Sequence, residues 1–115
     1  MDEAVRAYID AIAPEHRALF DRLHRLILEA HPDATVALSY QIPTYRVGKR
    51  RLFVGAWQHG LSVYGWQADH DAGFSARHPD FLASKATIRL RPRDAAGIGD
   101  DELRDFLRAT LDPGN

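Results

Sequence analysis

No cysteine occurs among the 115 residues, which removes thiolate catalysis, zinc ribbons and iron–sulfur ligation together. The same absence removes the disulfides of a small secreted domain, so a reducing cytoplasm is the expected compartment. No apolar run approaches the length that spans a bilayer, and the opening Met-Asp-Glu-Ala-Val-Arg-Ala-Tyr is acidic and amphipathic rather than a basic run leading into an apolar core. The formal net charge is only −1, so the whole surface offers no field to attract nucleic acid, which argues against that partner except through a local patch. Lysine is scarce, with Lys49 and Lys85 set against a majority of arginines. G-x-S-x-G, P-loop, G-x-G-x-x-G and H-E-x-x-H motifs are all missing. Ser39 and Ser62 have no histidine or carboxylate that sequence alone sets beside them, so no catalytic residue is assigned.

What remains is an ordinary globular composition, 45% hydrophobic and 27% charged. The length fits a single domain over 1–115 with a core of its own. Residues 2–12 form a short amphipathic helix carrying Val5, Tyr8, Ile9 and Ile12. Pro14 suits the first turn of the next helix, where its missing N–H is not needed. From there Leu19, Phe20, Leu23, Leu26, Ile27 and Ala30 recur at helical spacing until His31-Pro32-Asp33 stops the run. Thr35–Tyr40 alternates as a strand, with Val36, Leu38 and Tyr40 on one face. Pro43 lacks a ladder donor and belongs at a strand start, edge or bulge. Gly48-Lys49 and Gln58-His59-Gly60 mark hairpin turns around strands Leu52–Trp57 and Leu61–Trp66. Ala68–Leu82 reads as one or two short helices with a break, and Ala86–Arg91 as a further strand. Asp100-Asp101-Glu102 opens a last helix with Leu103, Phe106, Leu107 and Leu111 on its apolar side. The order predicts an α+β two-layer domain, an antiparallel sheet with helices on one face.

The other sheet face is where a site is expected. Tyr40, Tyr45, Tyr64 and Trp66 fall on neighbouring predicted strands, with Arg46, Lys85 and Arg89 close by. Aromatic rings beside basic groups hold planar anions, peptides or single-stranded nucleic acid; the same rings also fill a second small core or a dimer seam. Arg46, Lys49, Arg50 and Arg51 make a basic hairpin tip, suited to phosphates or simply to guarding a sheet edge. Of the six histidines, His16 and His24 stand about 12 Å apart along one helix and cannot share an ion. Asp69-His70-Asp71, with His78 further on, is the one local set of oxygen and nitrogen ligands, or else an exposed polar helix start.

Several segments in order resemble the YdhG-like family, small bacterial domains mostly of unknown function. These are Tyr8-Ile9 with Ala13-Pro14-Glu15-His16-Arg17, then Ser39-Tyr40-Gln41-Ile42-Pro43-Thr44-Tyr45, Gly60-Leu61-Ser62-Val63-Tyr64 and Ser84-Lys85-Ala86-Thr87-Ile88-Arg89. The resemblance runs from about Ala7 to Leu107, with Ile42 in place of the family's usual Met and Ala86 in place of its Gly. It implies the small α+β fold grouped with frataxin-like and YjbR-like proteins, and a role in binding, with intracellular iron chaperoning as its most specific form and iron as the only implied cofactor. The positions it carries over are Tyr40, Pro43, Tyr45, Tyr64, Lys85 and Thr87. Frataxin-type iron binding uses a dense acidic ridge, whereas Asp2, Glu3, Asp10 and Glu15 are here interleaved with Arg6 and Arg17. The contact surface expected from residues and resemblance together is Tyr40, Pro43, Tyr45, Tyr64, Lys85, Thr87 and Arg89. Its partner is a small ligand, another protein or a second copy of the chain, and an enzyme pocket on the same face stays open as an alternative.

Overall fold

The computed structural model describes residues 2–66, 70–84 and 87–112. Helices α1 (Glu3–Asp10) and α2 (Pro14–Ala30) lead into a four-strand meander, β1 (Thr35–Ser39), β2 (Ile42–Val47), β3 (Arg50–Trp57) and β4 (Gly60–Tyr64). A short helix α3 (Phe74–Arg77) and a 3₁₀ turn (Pro79–Phe81) precede β5 (Leu82–Ser84) and β6 (Thr87–Leu90). Helices α4 (Pro92–Ala96) and α5 (Asp100–Leu111) complete the order. The strands form one antiparallel sheet in the order β1-β2-β3-β4-β6-β5. This is the α+β two-layer architecture that the sequence predicts. No helix among the described residues is long and apolar enough to cross a membrane.

Strand alternation sends one set of side chains to the helices. Tyr45, Val47, Leu52, Val54, Leu61, Val63, Ile88 and Leu90 point that way and join residues of all five helices in a single buried cluster. Within it Val5 and Ile9 come from α1, Leu23, Leu26 and Ile27 from α2, and Leu103, Phe106 and Leu107 from α5. Phe74 of α3 stacks on Phe106 with ring centroids 4.4 Å apart. Arg22 ties the helices to one another. It donates to Asp100 at 2.7 Å and to the carbonyls of Ala95 and Ile98 at 2.8 and 2.6 Å, the Ala95 carbonyl also accepting the Ile98 N–H at 3.0 Å.

Two sequence expectations, those for Tyr40 and Trp66, are corrected here, while Pro43 falls at the start of its strand. Tyr40 does not continue β1, because the chain turns after Ser39 and re-pairs at once, Ser39 opposite Ile42. The two residues of that turn, Tyr40 and Gln41, have φ of 53° and 65°, the backbone of a two-residue type I′ hairpin. Pro43 sits on an inner strand, at the point where the β2–β3 ladder stops after Thr44 and Phe53; a proline has no N–H to extend it. Trp66 is buried in the core, not displayed beside Tyr64.

Candidate functional site

The side chains of opposite parity make the uncovered face. Across it run Ser39, Ile42, Gly55, Ser62 and Arg89 in one row, and Ala37, Thr44, Phe53, Tyr64 and Thr87 in the next. Arg46 and Arg51 stand opposite each other in a third. Trp57 lies at the β3–β4 turn, with the Arg89 guanidinium 4.7 Å and the Arg91 guanidinium 5.9 Å from its ring centroid, within cation–π range. At Gly55 an added Cβ would stand 3.4 Å from Ile42 and 3.8 Å from Tyr64, so those two side chains close over the glycine from either side. Tyr40 is 85% exposed, and its ring leans over Phe53 with centroids 6.1 Å apart.

Of the expected contact residues, Tyr40, Tyr64, Thr87 and Arg89 come together on this face. Tyr45 and Pro43 do not. They have the parity of the helix side, and Tyr45 is 1% exposed, its hydroxyl hydrogen-bonded with His24 Nδ1 at 2.8 Å. Burial holds Tyr45 protonated well above the ordinary phenol range and pushes the His24 imidazole below its ordinary 6.5, so both groups are neutral in this contact. Lys85 and Asp69 lie outside the described residues. Asp71 is buried, and its two oxygens accept the Gly73 and Ser75 amides at 2.9 Å each, which fixes the start of α3. Among the described residues no group of three or more His, Asp or Glu side chains is arranged to hold a metal ion.

Phe53, Trp57, Arg51 and Arg91 belong to the face, although the sequence reading did not assign them to it. The signal that would have found them is a gap: no Asp or Glu occurs between Asp33 and Asp69, nor between Asp80 and Asp94. Strands β1 to β6 are therefore free of acids, and the carboxylate side chains of the described residues fall on helices, turns and loops. The ion pairs follow the same division. Arg17, Arg22, Arg25, Arg77, Arg104 and Arg108, all helical, each meet a carboxylate within 3.5 Å. Among the described residues Arg46, Arg51 and Arg89 meet none. Asp80 and Asp94 line the hollow that holds Arg89 and Arg91 at the β5 rim, where Asp94 accepts the Arg91 backbone N–H at 3.4 Å.

Two shallow hollows mark this face. One of about 210 Å³ lies beside Arg46 along β1 and β2, and one of about 200 Å³ lies between Trp57, Arg89 and Arg91. A third, about 400 Å³, opens at the end of the sheet between His16, His59, Arg91 and Arg93. There His16 Nε2 donates to the Gln58 carbonyl at 3.1 Å, which leaves its buried Nδ1 without a partner. The first hollow offers the hydroxyls of Thr35, Ser39 and Thr44 but no acid or histidine among its lining residues. Nothing there activates a hydroxyl for nucleophilic chemistry. Arginines beside rings instead equip the face to hold anions and flat π systems.

Compared with family models, curated proteins and solved structures, the chain matches none.

Proposed function

We propose that this protein is a binding module of YdhG-like kind, working without catalysis, whose uncovered sheet face takes an anionic ligand. One observation carries the reading. Arg46 and Arg51 are direct cross-strand neighbours on that face, and among the described residues neither has a carboxylate partner. Like charges directly opposite in a sheet cost stability, and a bound anion reverses the sign of that interaction. Arg89, which stacks on Trp57 and has no carboxylate partner among the described residues, extends the same chemistry across the sheet.

The iron chaperoning implied by the resemblance calls for a carboxylate-rich surface, the opposite of this one, so the ligand proposed is an anion and not a cation. Self-association through this face is disfavoured for the same reason, because an isologous contact presents the same arginine-bearing patch from both subunits.

Titration with inorganic polyphosphate, followed by amide chemical shifts, tests the reading. The expected shifts cluster at Tyr40, Arg46, Arg51, Phe53, Tyr64, Thr87 and Arg89 and spare α2 and α5. Absent or evenly scattered shifts refute it. Saturable heat from an anaerobic ferrous titration of the same sample would move the assignment to iron.

A further inference from the structure

The rings of the uncovered face are not placed at random among its arginines. Phe53 and Tyr64 face each other across β3 and β4. The Arg46–Arg51 pair lies one row to one side and Arg89 one row to the other. Two residues along a strand is about 7 Å, comparable to the reach from a stacked base to its own phosphate. A ring row flanked on both sides by guanidinium groups therefore matches a chain that alternates flat bases with phosphates.

Tyr40 supplies a second, independent sign. It is 85% exposed and sits at φ 53°, followed by Gln41 at 65°, in a turn whose backbone favours Asn-Gly. A β-hairpin that keeps a bulky aromatic in the left-handed region retains strain, and such strain concentrates at ligand clamps. What this strain secures is a ring held beside Phe53 with most of its surface open to solvent.

We propose that this face binds single-stranded nucleic acid, with Tyr40, Phe53 and Tyr64 stacking bases and Arg46, Arg51 and Arg89 holding phosphates. The proposal rests on the anion-binding reading above and names its ligand. The whole-chain charge of −1 hides the field responsible, because the strands carry arginines and no acids. Paired duplex bases are enclosed in their stack and cannot reach rings on a flat sheet, whereas unstacked single-strand bases can. An acidic peptide offers carboxylates but no flat π surface for the rings, and extended peptides characteristically add at a sheet edge.

Fluorescence anisotropy with a labelled oligothymidylate and a labelled oligouridylate tests it, using unlabelled inorganic polyphosphate, a DNA duplex and polyglutamate as competitors. The expected result is single-strand binding whose log affinity falls with log salt at a slope of about −2, as roughly three phosphate contacts give. The Tyr40→Ser variant weakens it about tenfold, in the range of losing one stacked base. Arg51→Glu weakens it further and flattens the salt slope. Arg108→Glu, the same charge change on the helix side, leaves it unaltered. Circular dichroism melts confirm that the variants are folded, and Tyr40 and Arg51 are surface positions.

A difference between the two oligonucleotides assigns DNA or RNA, and equal affinity assigns the base-and-phosphate chemistry they share. Polyphosphate competing as well as the oligonucleotides, with Tyr40→Ser silent, overturns the nucleic-acid assignment and leaves the anion-binding reading standing. Preference for duplex or polyglutamate overturns it too. Absence of binding to every polyanion refutes both readings.

Discussion

Relieving the Tyr40–Gln41 turn should make the protein more stable and less able to bind. Both residues hold left-handed backbone, φ 53° and 65°, and each non-glycine residue there costs about 1–2 kcal/mol. Gln41→Gly removes its share but gives back about 0.5–1 kcal/mol through the extra freedom of glycine in the unfolded chain. Tyr40→Asn recovers part of the remainder and forfeits the ring contact with Phe53, a loss of about 0.5–1 kcal/mol. The double variant is therefore expected to gain about 1–2 kcal/mol, a rise in melting temperature of about 4–8 °C for a domain of this size. Thermal melts by circular dichroism read the change, and oligothymidylate anisotropy reads the function. Gln41→Gly alone separates the two effects, because it leaves the ring in place and should stabilise with little loss of binding. A lower or unchanged melting temperature for Gln41→Gly would refute the strain assignment.

Other expectations concern the sheet face and the helix layer. Arg51→Glu places an opposite charge against Arg46 and should stabilise by about 1 kcal/mol at low salt; urea midpoints at high ionic strength should show the gain shrink. His24, lowered by burial from its ordinary 6.5, stays neutral in the fold, so the unfolded chain takes the proton first as pH falls through that value. Stability is then intact above about pH 6.5 and declines below it. Denaturant midpoints at pH 7.5 and 5.5 should differ, by less in His24→Gln; an equal difference in that variant rules the histidine out. Removing Arg22 leaves the Ile98 carbonyl without its donor, while the Ala95 carbonyl keeps the Ile98 amide and Asp100 keeps Arg25. Arg22→Ala should therefore cost about 1–2 kcal/mol, and a cost below 0.5 kcal/mol or so would show water replacing it.

The helices were legible because their apolar residues repeat over enough turns to leave no other period: Leu19 to Ile27 in α2 and Leu103 to Leu111 in α5. The antiparallel sheet and two of its hairpins were legible from Gly48-Lys49 and Gln58-His59-Gly60. The β1–β2 hairpin was not, since Tyr40-Gln41 are not residues that favour its turn; reading through it put Tyr40 on the wrong parity. Tyr45 was misplaced for a related reason. Alternation separates two faces without saying which one the helices cover, and aromatic residues occur at both parities of β2 to β4. β5, three residues long, and α4, five residues long, are too short to show a period, although Pro92 at the first turn of α4 was a usable mark. The face itself was half visible as rings and arginines. Its cationic character needed the acids to be located, not only counted.

With the strands free of acids and Arg46, Arg51 and Arg89 on their uncovered face, while most described carboxylates stand on the helices, the molecule is an electric dipole directed across its two layers. Near a polyanion it experiences a torque before any contact forms, and arrives sheet first. Its association rate with such a partner is then governed by this internal polarity, and mutations that leave the net charge untouched while exchanging charges between the layers alter that rate more than mutations that change the total.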